Sequence, residues 1–254
     1  MKKNNYILSI AGFDPSSGAG ITSDIKTFEA HNLYGLSVCT AVTVQNDIHF
    51  KACQWIDDAV ILSQIEILFE RFDIAVVKIG IIKSWDTLVL VLERLHKLNP
   101  NIKIILDPIM KASAGFDFHS TENQNLLIKI WTLCYVITPN YDEIQSLYAN
   151  LTIEATLYKI SRFTNIHLKG GHRIDKKGWD VLFYDNKSVE LPPLAINTTD
   201  KHGSGCVLSA ALASYILLEQ DLENASKKAK YYTEGFLNSN KSLLGKHYKI
   251  NNNN

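Results

Sequence analysis

Ile74-Ala75-Val76-Val77-Lys78-Ile79 and Lys103-Ile104-Ile105-Leu106-Asp107 are short apolar runs in which polar and apolar residues do not alternate. A strand that packs helices on both faces of a parallel sheet reads in this way, whereas a half-solvated strand alternates. Four further β-rich runs flank them: Tyr6–Ala11, Leu36–Val44, Tyr135–Thr138 and Asn165–Lys169. Segments with apolar residues at helical spacing lie between most of the runs, so the order is βαβαβ. Parallel strands need crossover connections, and the sequence predicts an α/β fold, a mostly parallel sheet covered by helices on both faces.

Near the C-terminal third the pattern changes. Trp179 to Tyr184 and Lys187 to Leu191 flank the pair Asp185-Asn186, which predicts an antiparallel edge hairpin turning at that pair. No repeat and no domain boundary is evident, so residues 1–250 are expected to form one domain, with 251–254 an asparagine tail.

Composition narrows the function classes. The 254 residues are 46% hydrophobic and 20% charged, a globular balance. Twenty-six basic and 26 acidic residues cancel, which leaves no global field for nucleic acid or anionic lipid. The apolar stretch near the N-terminus breaks at Gly12-Phe13-Asp14, too early for a signal-peptide core, and Val207–Leu218 falls short of the roughly 20 residues of a bilayer span. Cys39, Cys53, Cys134 and Cys206 form no CxxC pair and read as reduced thiols. The expectation is a cytoplasmic protein with no membrane anchor.

In open α/β sheets ligands bind beyond the carboxyl ends of the strands. Polar and glycine residues gather there: Gly12 to Gly20 after the first strand, Gln45-Asn46-Asp47 after the second, Lys78-Ile79-Gly80 at the third, Asp107-Pro108-Ile109-Met110 after the fourth, Thr138-Pro139-Asn140 after the fifth and Lys169-Gly170-Gly171-His172 after the sixth. Three features bear on chemistry. His202-Gly203-Ser204-Gly205-Cys206 opens a long helical segment, and a glycine turn feeding a helix start offers free amides and the positive dipole end to an anion. It could equally be a tight loop before a core helix, since neither a dinucleotide fingerprint nor a P-loop is present. Cys206 at that helix start is expected to have a lowered pKa and to accept a proton.

Gly12–Gly20 allows close backbone approach to a ligand, while Asp24, one turn into the next helix, is by itself an ordinary first-turn residue. Asn140 and Glu143 have capping-box spacing and are also oxygen donors suited to Mg²⁺ and its waters.

Together these segments, with AGFDPSSGAGITSDIKTFEAHNLYGLSVCTAVTVQN, KIGII, DPIM, TPNYDEI, LKGGH and HGSGC in this order, resemble the hydroxymethylpyrimidine and phosphomethylpyrimidine kinases of thiamine synthesis, a ribokinase-like family. The resemblance spans nearly the whole chain. It implies a three-layer αβα sandwich and ATP- and Mg²⁺-dependent phosphorylation of a pyrimidine alcohol and of its monophosphate, by a homodimer. Gly12, Ala19 and Ile81 would line the pyrimidine site, Asp24 and Gln45 would pair with the heterocycle edge, and Lys169, Asn140 and Glu143 would serve ATP, with Glu143 on the metal. Gly203, Ser204 and Gly205 would form the anion hole, and Cys206 would be the base. A cysteine there also occurs in pyridoxal kinases, the alternative activity, and a catalytically silent pyrimidine or nucleotide sensor is a second alternative. Against the family pattern Phe13 stands for serine, Ser17 for glycine, Thr22 for glutamine, Ile81 for methionine and Ser204 for threonine, and 111–124 aligns less easily, where a covering loop would lie.

Overall fold

The computed structural model describes residues 5–109, 124–148, 150–171, 173, 175–194, 198–218 and 220–250. The covering loop expected over 111–124 and the tail at 251–254 lie outside this set, apart from Gln124, which opens a helix.

Nine strands form one sheet: β1 Tyr6–Phe13, β2 Tyr34–Gln45, β3 Phe50–Trp55, β4 Val76–Ile79, β5 Lys103–Leu106, β6 Val136–Ile137, β7 Asn165–Leu168, β8 Asp180–Tyr184 and β9 Lys187–Leu191, in the spatial order β3-β2-β1-β4-β5-β6-β7-β8-β9. The six from β2 through β1 to β7 run parallel. As expected, β4 and β5 sit inside the sheet, and Val76, Val77, Ile104 and Ile105 are buried. β8 and β9 form the expected hairpin, with Asp185 and Asn186 both left-handed (φ 47° and 58°), the backbone of a two-residue turn matched to strand twist.

The other edge adds a strand that the sequence does not announce. β3 pairs antiparallel with β2, so antiparallel strands close both edges. β3 carries no alternating burial and none of its residues is fully buried, so its six residues give no period to read.

Helices α1 Gly20–Ala30, α7 Ser204–Leu217 and α8 Leu222–Leu237 cover one face of the sheet. The other face carries α2 Asp58–Phe69, α3 Trp85–Leu98, α4 Gln124–Leu133, α5 Tyr141–Leu147 and α6 Ile153–Ser161. Two apolar cores result, one on each side, which is the three-layer αβα arrangement. Helix α7 is buried on nearly every side, from Cys206 to Ile216, because α8 lies over it and the sheet under it. From β1 the chain crosses to β2 on one side and later to β4 on the other, so the strand order reverses at β1. The exits of β1 and β4 therefore flank a crevice at the sheet's carboxyl edge.

Candidate active site

A cavity of about 1180 Å³ opens along that carboxyl edge. Its wall takes one contribution from nearly every strand exit, together with the start of α7 and the inner side of α8.

The loop after β1 is held by one carboxylate. Asp14, which is buried, accepts from the Ser16 amide (2.8 Å) and the Ala19 amide (2.9 Å), and lies 2.9 Å from His202 Nε2. Burial raises its pKa, but the His202, Ser16 and Ala19 contacts outweigh burial and hold it below the usual carboxylate value. Gly20 ends the loop with φ +61°, and a Cβ there would stand 2.2 Å from the Gly12 carbonyl oxygen. Gly203 caps α7 with φ +76°, where a Cβ would stand 2.0 Å from the Gly18 carbonyl oxygen. The first loop and the start of α7 are thus pressed backbone to backbone, and only glycine permits it. Gly203, Ser204, Gly205 and Cys206 all face the cavity, so the first turn of α7 brings its positive end to the wall, with the Ser204 amide also donating to the Lys201 carbonyl at 3.4 Å.

Two charged groups flank this turn. Lys169, just past β7, lies 2.7 Å from Asp107 Oδ1 and 3.5 Å from Glu143 Oε2. Asp107 also accepts from Thr138 Oγ1 at 3.1 Å and from Ser209 Oγ at 3.3 Å. Burial alone would lower the Lys169 pKa, but Asp107 and Glu143 reverse this and raise it, so the ammonium stays charged. Glu143 is raised by burial, with Lys169 opposing. Asn140 Oδ1 accepts from the Glu143 amide (2.8 Å) and Glu143 Oε2 accepts from the Asn140 amide (2.7 Å), so the capping box is real while both residues also line the cavity. The second group is Lys78 with Asp24: Lys78 Nζ lies 3.0 and 2.8 Å from the two Asp24 oxygens, and both side chains are fully buried.

Gly12, Ala19, Gln45, Ile81, Asn140, Glu143, Lys169, Gly203, Ser204, Gly205 and Cys206 all line the one cavity. Ile81 closes over Gly12, where a Cβ would stand 2.5 Å from Ile81 Cδ1, so glycine at 12 leaves the apolar wall room. Two expectations are corrected. Asp24 does not line the cavity; it lies below the wall with its oxygens spent on Lys78 and on Ser9 Oγ (2.6 Å), so it is not placed to meet a heterocycle edge. Cys206 is not a low-pKa thiol: burial pushes it up to about 11, against the lowering by Lys78. Dehydration outweighs the helix start. Phe13 and Ser17 do not line the cavity either.

Lys78, Asp107, Asp14 and His202 are among the wall residues that sequence reasoning left without a role. Lys78 carried a signal, a lone charge inside an apolar strand run, and Asp107 stood at a strand exit.

A parallel-sheet sandwich with an amide-lined helix start, a buried lysine and carboxylates around one cavity at the switch point defines a small-molecule kinase of the ribokinase-like class. The chain belongs to the phosphomethylpyrimidine kinase family, whose profile matches residues 14–251. It is 36% identical to the hydroxymethylpyrimidine/phosphomethylpyrimidine kinase of Aquifex aeolicus over 96% of this chain and 98% of that one. The crystal structure of a phosphomethylpyrimidine kinase from Clostridium difficile superposes with a TM-score of 0.74 at 32% identity, covering 90% of this chain and 97% of that one. A pyridoxal kinase from Staphylococcus aureus, in complex with AMP-PCP and pyridoxal, shares the fold (TM-score 0.81, 22% identity, 97% and 93% covered).

Proposed function

We propose that the chain transfers the γ-phosphoryl group of ATP to the hydroxymethyl oxygen of hydroxymethylpyrimidine, and then a second phosphoryl group to the resulting monophosphate, in thiamine synthesis. The observation that carries this reading is the start of α7. Its glycine turn faces the same cavity as Lys169 on one side and as Gly12, Ala19, Gln45 and Ile81 on the other.

The phosphates would lie against the Gly203–Cys206 amides, with Lys169 held charged beside them to offset the negative charge of the transferring group. Among the described residues no cluster of three or more His, Cys, Asp or Glu side chains could cage a metal alone. That fits Mg²⁺, which keeps waters and phosphate oxygens and takes one or two carboxylates. Glu143, a hard oxygen donor facing the cavity, would hold it, and the ion would neutralise phosphate charge. Gln45 offers both a donor and an acceptor to an aminopyrimidine, and Gly12 and Ala19 let the ring approach the backbone. Cys206 would take the hydroxyl proton as the oxygen attacks phosphorus, positioning and electrostatics supplying most of the rate.

No helix among the described residues is long and apolar enough to cross a membrane, and the reading places the enzyme in the cytoplasm as one kinase domain over residues 1–250. A homodimer is part of the same reading. Val42, Val44 and Ile48 stand 43%, 54% and 62% exposed on β2 and the turn after it, an apolar patch suited to a second copy, and light scattering of Val44→Asp beside the wild type tests it.

The experiment is ADP release from MgATP with hydroxymethylpyrimidine, its monophosphate and pyridoxal in turn. The proposal expects the two pyrimidines to be preferred. A preference for pyridoxal would make this a pyridoxal kinase, and pyrimidine binding without ADP release would make it a sensor.

A further inference from the structure

The Asp24–Lys78 pair takes no part in the mechanism above, and its placement calls for a reason. Lys78 occupies a β4 position between Val77 and Ile79, both wholly buried, where an aliphatic side chain would pack without dehydrating a charge. A buried ion pair is often no more stabilising than well-packed apolar residues, so stability alone does not account for it. Although fully buried, Lys78 reaches the cavity wall. A Cβ on Gly80 would stand 3.0 Å from Lys78 Nζ, so glycine at that position leaves room for the ammonium head. Cys206 faces the same cavity from the start of α7, and α7 packs on β4 and on α1, the strand and the helix that carry Lys78 and Asp24.

We propose that Lys78 is a positioning residue for phosphoryl transfer, the fixed counter-charge for the thiolate of Cys206, and that Asp24, backed by Ser9, sets how much of that charge the thiolate receives. The inference rests on Cys206 acting as the base. The charged groups acting on Cys206 are Lys78 from β4, Asp24 from α1, Asp107 from the exit of β5 and Lys169 from the exit of β7. After burial, Lys78 has the largest influence on the thiol and favours its ionised form, whereas Asp24 and Asp107 oppose it. Reciprocally, Cys206 is among the groups that keep Lys78 protonated against its burial. In the transfer step the substrate O–H bond breaks as its proton passes to Sγ. The oxygen pair forms the new bond to phosphorus, and the bond to the bridging oxygen breaks with its pair leaving on ADP. Cys206 thus goes from thiolate to thiol, and Lys78 keeps its proton throughout.

The two halves of the pair should act on Cys206 with opposite signs. The experiment measures the rate of iodoacetamide alkylation against pH for the full chain, read at the Cys206 peptide by mass spectrometry. Asp24→Asn leaves Lys78 without its carboxylate and should lower the titration midpoint by about one pH unit, about tenfold faster alkylation near neutral pH. Lys78→Met should raise it by a similar amount. A purely structural pair would loosen packing in both variants and speed alkylation in both. Should Lys78→Met fail to fold, Asp24→Asn against the double variant Asp24→Asn/Lys78→Met gives the same comparison, the double variant alkylating more slowly. An unmoved or raised midpoint in Asp24→Asn, or equal acceleration in all variants, overturns the proposal. Turnover of Cys206→Ala, measured separately, decides whether Cys206 is the base, so the two failures are distinguishable.

Discussion

The backbone contact between Gly203 and Gly18 makes Gly203→Ala the most informative steric test. Alanine at φ +76° incurs about 1–2 kcal/mol of left-handed strain. Its methyl group would also stand 2.0 Å from the Gly18 carbonyl oxygen, whereas real contacts lie beyond about 3 Å, so the first loop or the start of α7 must shift by about 1 Å. Overpacking of this kind adds about 1–3 kcal/mol. A total near 3 kcal/mol corresponds to a fall in melting temperature of roughly 6–12 °C for a chain of this size. A displacement of about 1 Å in a phosphate-positioning turn costs about 100-fold in rate, so kcat/KM should fall by that much or more. Thermal unfolding followed by circular dichroism, with ADP-release kinetics on the folded protein, measures both. Gly171→Ala is the control for stability, because a Cβ there meets nothing within 4 Å and φ is not positive, so its melting temperature should be unchanged. Native stability and native kcat/KM in Gly203→Ala would refute the backbone-to-backbone seat.

Three further outcomes follow from the geometry. Ser17 is left-handed (φ 58°), a backbone that glycine adopts without strain, so Ser17→Gly should stabilise by about 1 kcal/mol, seen as a raised denaturation midpoint. Asn140→Ala removes the acceptor for the Glu143 amide and should cost about 1 kcal/mol in chemical denaturation. Burial holds His31 near pKa 4, and His247, packed on Tyr232 and Phe236, is likewise held near 4. Both are neutral when folded but ionise near 6.5 when unfolded. Stability present above pH 6.5 is therefore lost as pH falls towards 4, by roughly 3 kcal/mol for His31. His31→Leu should flatten that acid limb in melting curves taken across this range.

Much of this was legible in the sequence for a physical reason. Strands buried on both faces, such as β4 and β5, must be continuously apolar, and the Asp185-Asn186 turn must tolerate left-handed backbone, so both announce themselves. β3 does not, because a short edge strand with no buried face has no burial alternation to impose on its sequence. The gathering of Gly12, Gln45 and Lys169 at one cavity follows from their shared place at strand exits, and Gly203 joins them from the start of α7. Asp24 could not be placed in that way, since its partner Lys78 is 54 residues away and pairs with it only through the β1–β4 neighbourhood. The ionisation of Cys206 is not legible in the sequence, because a helix start is local and visible there, whereas the burial that outweighs it is tertiary.

The central claim is that a thiol at the start of α7 removes the substrate proton, and Cys206→Ala tests it most directly, with ADP release from MgATP and hydroxymethylpyrimidine measured across pH. The wild type should show kcat/KM rising with pH towards the thiol value of about 11, while Cys206→Ala stays folded, binds ATP as before and loses most of its turnover together with that rise. Wild-type turnover with an unchanged pH profile in Cys206→Ala would contradict the account.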